Sequence, residues 1–231
     1  MERRHLIQAA AAPWLGWLPV ARAQSLASLT DLDASKGLKT ALETGALAAV
    51  KLLGVQDGFL GNPKVRIPLP SGLQDASKLL KALGQSKQLE ELTVAINRAA
   101  ENAVPLAKDL LVKAVQAMSV QDAKGILTGG ETSVTTFFAG KTREPLSGQF
   151  LPVVKQAVAK VGLAQQYDRL ASKAAGMGLV KQEDASIDHY VTRKALDGLY
   201  LIIGEEEKKI RQDPVGTGSA ILQKVFGSLR R

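Results

Sequence analysis

One C-terminal stretch gathers side chains of the kind that carry acid–base chemistry. In YVTRKALDGLYLIIGEEEKKIR, Tyr190 to Arg211, steps of about 100° per residue put Ala195, Leu199, Ile202, Ile203 and Ile210 on one helical face, with Glu206 in its middle. A carboxylate buried there needs a cation or a hydrogen-bond donor; otherwise its pKa rises, and a carboxyl that stays protonated in a cleft can act as a general acid. On the opposite side, Asp197 follows Arg193 and Lys194 within one turn and precedes Tyr200. It reads as a base or ligand anchor, with Tyr190 or His189 assisting. Glu206, Asp197 and Tyr190 are therefore the catalytic candidates of a carboxylate-dependent hydrolase. The plainer account of the same residues is an apolar face that ends early, Glu206 paired with Lys209, and an ordinary ion pair at spacing four.

Other polar residues suit ligand or partner contact. Arg98 and Glu101 in NRAAEN share the polar side of one helix, and Lys64 and Arg66 project from KVRIPLP. With Arg193, Asp197 and Tyr200 they complete the binding candidates. LTGGETSVT, Leu127 to Thr135, sets glycines and hydroxyls before a helix start, but it lacks the lysine and preceding strand of a phosphate loop and reads as back-to-back capping.

What the chain lacks narrows the chemistry further. There is no cysteine, which excludes disulfides, thiol catalysis and cysteine metal sites. The only histidine after residue 23 is His189, so no zinc site is expected, and no cofactor is implied. No G-x-S-x-G, nucleotide fingerprint or calcium loop occurs, which weighs against an enzyme.

The first residues read as a leader. Arg3 and Arg4 precede an apolar run from Leu6 to Val20, and Ala21-Arg22-Ala23 supplies small residues for a peptidase. Residues 1–23 are expected to be a signal peptide, taking the chain to the periplasm by the general secretory or the twin-arginine route. The chain has 30 basic and 22 acidic residues; without Arg3, Arg4, Arg22 and Glu2 these become 27 and 21. The surplus is mild and has no dense basic run, so no nucleic-acid partner is expected. No later apolar run is long enough to span a bilayer.

Residues 24–34 read as disordered and 35–231 as a single helical domain. Apolar residues recur at three- and four-residue steps almost throughout, the pattern of amphipathic helices around one core. Leu38, Ala41, Leu42, Gly45, Ala49, Leu52 and Leu53 make the first stripe, and Gly45, Ala46 and Ala49 provide a small-residue seam. Ser71 and Ser86 are expected to cap the next two helices. The second of these is long and alanine-rich, and Pro105 should kink or split it. Ser119 and Asp122 form a capping box. A brief helix in ETSVTTFFAG, another from Thr142 to Val161, a long one from Tyr190 and a last one from Thr217 to Leu229 follow. The fold class is all-α, a multi-helix bundle of about nine helices.

The exception is DGFLGNPKVRIPLP, residues 57 to 70, whose three prolines forbid a helix. Val65, Ile67 and Leu69 alternate with Lys64, Arg66 and Pro68, the period of an extended strap with one face buried. It is expected to lie across the helices, with residues 64–68 pairing with 179–182 in a minimal two-stranded ribbon.

The blocks KLLGVQDGFLGNPKVRIPLP, NRAAENAVPLAKDLL, ILTGGETSVTTFF, FLPVVKQAVAKVGL and YVTRKALDGLYLIIGEEEKKIRQDP resemble, in the same order, a bacterial family of exported helical proteins known as domain of unknown function 4197. The resemblance spans about Leu38 to Phe226. It implies an exported single-domain helical protein and brings no catalytic residues. The resulting expectation is a cofactor-free binding or interaction module, for an apolar or amphipathic small molecule or an envelope protein. A hydrolase and a structural envelope protein remain the alternatives.

Overall fold

The computed structural model describes residues 31–176 and 185–213. The expected leader, the ribbon partner at 179–182 and the terminal helix from Thr217 lie outside them. Among the described residues there are eight α-helices and no strand: α1 Asp31–Leu53, α2 Ser71–Ala82, α3 Ser86–Ala103, α4 Ala107–Gln116, α5 Val120–Thr128, α6 Ser133–Val158, α7 Gly162–Gly176 and α8 Ile187–Gln212. A single 3-10 turn, Val104–Leu106, joins α3 to α4. The all-α expectation holds, and α1 already begins at Asp31, within the segment expected to be disordered.

Helices α1, α3, α6 and α8 form the centre, α8 packing on both α1 and α6 while α6 also packs on α3. The reason is visible in α6. Val134, Phe138, Thr142, Leu146, Phe150, Val154 and Val158 recur every four residues and are all buried, so one continuous stripe faces the neighbours.

That stripe overrides local signals. The sequence suggested two helices separated near Gly140, but α6 runs unbroken through Gly140, Pro145 and Pro152. A helical glycine costs only about 1 kcal/mol relative to alanine, which the stripe's burial exceeds. Both prolines sit on the exposed side, where the lost N–H bond and any bend face solvent.

At Pro105 the long alanine-rich segment does divide, into α3 and α4. The capping box at α5 is present, with Asp122 N–H donating to Ser119 Oγ at 3.0 Å and Ser119 N–H to Asp122 Oδ2 at 3.0 Å. Ser71 and Ser86 are not caps. Both are first helical residues, and the cap positions belong to Pro70 and Gln85, neither of which makes a side-chain cap bond.

Candidate functional site

Residues 57–70 leave the helical pattern, and α3 and α8 hold them in place. Asn97 of α3 is fully buried. Its Oδ1 accepts the Ile67 N–H at 2.8 Å, and its Nδ2 donates to the Ile67 carbonyl at 2.9 Å and to the Thr93 carbonyl at 2.8 Å. One side-chain amide thus serves both backbone groups of Ile67, the service a neighbouring strand normally provides. The backbone of Ile67 is therefore satisfied by a helix, and no ribbon is needed there.

One turn further along α3 lies Glu101, 3% exposed. Its Oε1 accepts the N–H groups of Phe59 and Leu60, each at 3.0 Å. Arg98 donates to Glu101 Oε2 at 2.6 Å and to Asp57 Oδ1 at 2.8 Å; the hydrogen bond to Glu101, then that to Asp57, holds the guanidinium even more firmly charged. Asp57 has φ +65°, a left-handed conformation that aspartate tolerates better than most residues.

Helix α8 secures the other side. The Tyr190 hydroxyl donates to the Pro68 carbonyl at 3.0 Å, and Lys64 Nζ meets both Glu205 oxygens at 2.8 and 2.9 Å. Residues 64 to 68 therefore run opposite to α8, from Glu205 back towards Tyr190. Burial alternates along them: Val65 and Ile67 are buried, whereas Lys64, Arg66 and Pro68 are exposed.

The segment approaches α8 closely at Gly198. A Cβ there would stand 2.8 Å from Phe59 Cε1 and 3.3 Å from Val65 Cβ, and Phe59 is fully buried. Gly198→Ala is expected to destabilise the fold by roughly 1–3 kcal/mol through overpacking. Gly140→Ala, where a Cβ would meet nothing within 4 Å, should gain about 0.5–1 kcal/mol from helix propensity. Thermal denaturation of the two variants checks the opposite signs; equal shifts would refute the close approach at Gly198.

The proposed catalytic residues do not converge. Glu206 pairs with Lys209 at 2.5 Å on the half-buried flank of α8, as the plainer sequence reading had it. The acid on the buried face is its neighbour Glu207, 4% exposed. Because α8 lies against both α1 and α6, its buried face is wider than one stripe and its centre is shifted by a residue. Asp197 is exposed and bound by Arg143 at 2.8 Å, with Arg193 at 4.0 Å. Nine residues separate Asp197 from Glu206, about 13 Å along the axis. Tyr190 directs its hydroxyl to Pro68, and Arg193 lies 5.5 Å from its ring centroid.

Tyr200 is buried, with its hydroxyl 2.9 Å from Thr142 Oγ1. The Arg143 guanidinium lies 5.1 Å from the ring centroid. Burial pushes the phenol up from its usual range, against the Thr142 hydrogen bond and the Arg143 charge. A phenol with its folded pKa raised lends stability below its unfolded pKa and loses it as pH rises through the folded value. Tyr200→Phe should thus cost about 1 kcal/mol near neutrality, for the lost hydrogen bond, and the deficit should shrink above about pH 10. Urea titrations of both proteins at pH 7 and pH 10.5 check this.

His189 is exposed, its Nδ1 2.7 Å from Ser186 Oγ. In the double-glycine stretch, Ser133 Oγ donates to the Ile126 carbonyl at 3.2 Å and Glu131 pairs with Lys208 at 3.2 Å. These are capping and surface contacts.

Residues 63–65 form a turn closed by the Val65 and Arg66 N–H groups on the Asn62 carbonyl, at 3.2 and 2.8 Å, so the extended strap expected from Lys64 is not found at its start. Two grooves flank residues 64–69, and Arg66 and Pro68 line both. One, of about 650 Å³, lies between residues 66–69, α2 and α3 and includes Leu69, Ser77, Lys81 and Leu89. The other, of about 180 Å³, lies along α8 at Lys194, Asp197 and Leu201. Sequence reasoning overlooked Asn97, Asp57 and Gly198. For Asn97 the one local signal was its place directly after Ile96 and before Ala99 and Ala100 of the apolar stripe of α3.

Among the described residues no helix is long and apolar enough to cross a membrane, and no three His, Cys, Asp or Glu side chains cluster to hold a metal. A family model described as "Protein of unknown function (DUF4197)" matches residues 28–227. No curated protein and no solved structure matches the chain.

Proposed function

The chain belongs to the DUF4197 family, and from that premise we propose a periplasmic, cofactor-free binding protein that holds an amphipathic small molecule between residues 66–69, α2 and α3. Export is supported by the leader-like residues 1–23. The observation that carries the binding reading is the inequality of the two walls of the 650 Å³ groove, a volume in the range of small-molecule sites. One wall is fixed by Asn97 and Tyr190 through Ile67 and Pro68. The other, α2, buries only Leu73 and leaves Leu79 and, at its C-terminal cap, Leu83 exposed by 64% and 65%. An element with so little buried surface opens at low cost, which admits a ligand. Apolar Leu69 and Leu89 with polar Arg66, Lys81 and Thr93 suit a molecule with both kinds of surface.

The test is native mass spectrometry of protein purified from its own periplasm, with amide hydrogen exchange before and after addition of an envelope lipid extract. A co-purifying amphiphile, or slowed exchange in α2 on addition, is the expected result. Bare polypeptide with unchanged α2 exchange would overturn the proposal.

A further inference from the structure

The smaller groove along α8 has a different chemistry. Its floor is apolar, formed by Val65, Ile67 and the bare backbone of Gly198, with Leu201 at the side. Its rim carries Lys64, Arg66 and Lys194, and Asp197 is its one carboxylate. Lys64 is already neutralised by Glu205, and Asp197 is already held by Arg143 and Arg193. Among the described residues, Arg66 and Lys194 make no ion pair and no side-chain hydrogen bond. The groove's own lining thus carries three cations against one carboxylate.

Such a surplus would be unremarkable on an open surface. Here the backbone along the groove is pinned at both ends, by the ion pair of Lys64 with Glu205 and by the Tyr190 hydroxyl bond to Pro68. The backbone between them is anchored through Ile67 to Asn97, so the stem of Arg66 starts from a fixed point. Pre-placed cations lose less entropy on binding an anion than freely moving ones. A guanidinium and an ammonium on residues that line one groove offer charge-assisted hydrogen bonds to oxyanion oxygens.

We propose that Arg66 and Lys194 form an anion site that takes a phosphate or carboxylate group in the groove between residues 64–68 and α8. The volume, about 180 Å³, sets the ligand class: it accommodates one such group with a few carbons, and a larger molecule would have only its charged end here. The site does not depend on the α2 groove. Lys194 belongs to the α8 groove and is not among the residues lining the α2 groove, so its removal separates the two readings.

The test is titration of the full chain with inorganic phosphate, with hexanoate, and with vesicles of phosphatidylcholine with or without phosphatidylglycerol, followed by backbone amide shifts. Saturable shifts at residues 64–68 and 194–201 are expected, with affinity falling as salt rises. Arg66→Gln and Lys194→Gln should each weaken binding about tenfold, while Lys51→Gln, an equal loss of charge at an exposed position of α1, should leave it unchanged. Binding of the free anions identifies a soluble ligand, and binding of phosphatidylglycerol vesicles alone identifies a lipid headgroup; either, lost in Lys194→Gln, supports the site. No saturable binding of any probe, or equal weakening by Lys51→Gln, would overturn it.

Discussion

Glu101→Ala is expected to lower stability by about 3 kcal/mol, roughly 10 °C in Tm for a chain of this size. The carboxylate is 3% exposed and accepts two backbone N–H groups. Removing it orphans both donors beneath fully buried Phe59 and leaves Arg98 with only Asp57. The cost is the desolvation of unmet donors, larger than the net worth of the bonds themselves. Glu101→Gln keeps an acceptor for Phe59 and Leu60 while losing the charge facing Arg98, and should recover about half of the loss. Differential scanning calorimetry of the three proteins decides the point, and an alanine variant within 1 kcal/mol of the parent would refute it.

Asn97→Leu should cost about as much, again near 3 kcal/mol. Leucine keeps the branching of asparagine and is the larger side chain, so the loss reports unmet polar groups and some overpacking rather than a cavity. Both backbone groups of Ile67, itself 1% exposed, lose their partner. Asn97→Asp is the informative companion. Its carboxylate retains the acceptor for the Ile67 N–H but faces the carbonyls of Ile67 and Thr93 across 2.9 and 2.8 Å, with no proton to offer either. Its folded pKa is then raised, so its deficit relative to Asn97 should narrow as pH falls towards 4 and the acid regains a proton. Chemical denaturation at pH 4 and pH 7 measures that narrowing. A pH-independent deficit would show that the amide does not donate to those carbonyls.

These two residues also mark how far the sequence can be read. Arg98 with Glu101 was legible because three residues along a helix place two side chains together whatever the tertiary fold. The Ser119 capping box was legible for the same reason. Asp57, by contrast, reaches Arg98 across 41 positions, and Asn97 reaches Ile67 across 30, separations on which local periodicity is silent. The single helix α6 was misread because glycine and proline signals are local and weak, whereas the stripe from Val134 to Val158 is a property of the whole packed centre. Glu206 was placed on the buried face because the face was drawn as one stripe. Two neighbours, α1 and α6, widen it, and one residue's rotation is enough to exchange Glu206 for Glu207. The period-two burial of residues 65 to 68 was readable, but what would accept Ile67's hydrogen bonds was not.

The reversed course of residues 64–68 along α8 bears on the order of assembly. Lys64 waits for a carboxylate 141 positions later in the chain, and Pro68 for a hydroxyl 122 positions later. Phe59 has no seat until Gly198 has emerged. Contacts this remote in sequence slow the search for the native arrangement, so an emerging or truncated polypeptide that ends before α8 must carry an uncovered phenylalanine, the kind of sticky intermediate that chaperones exist to shield.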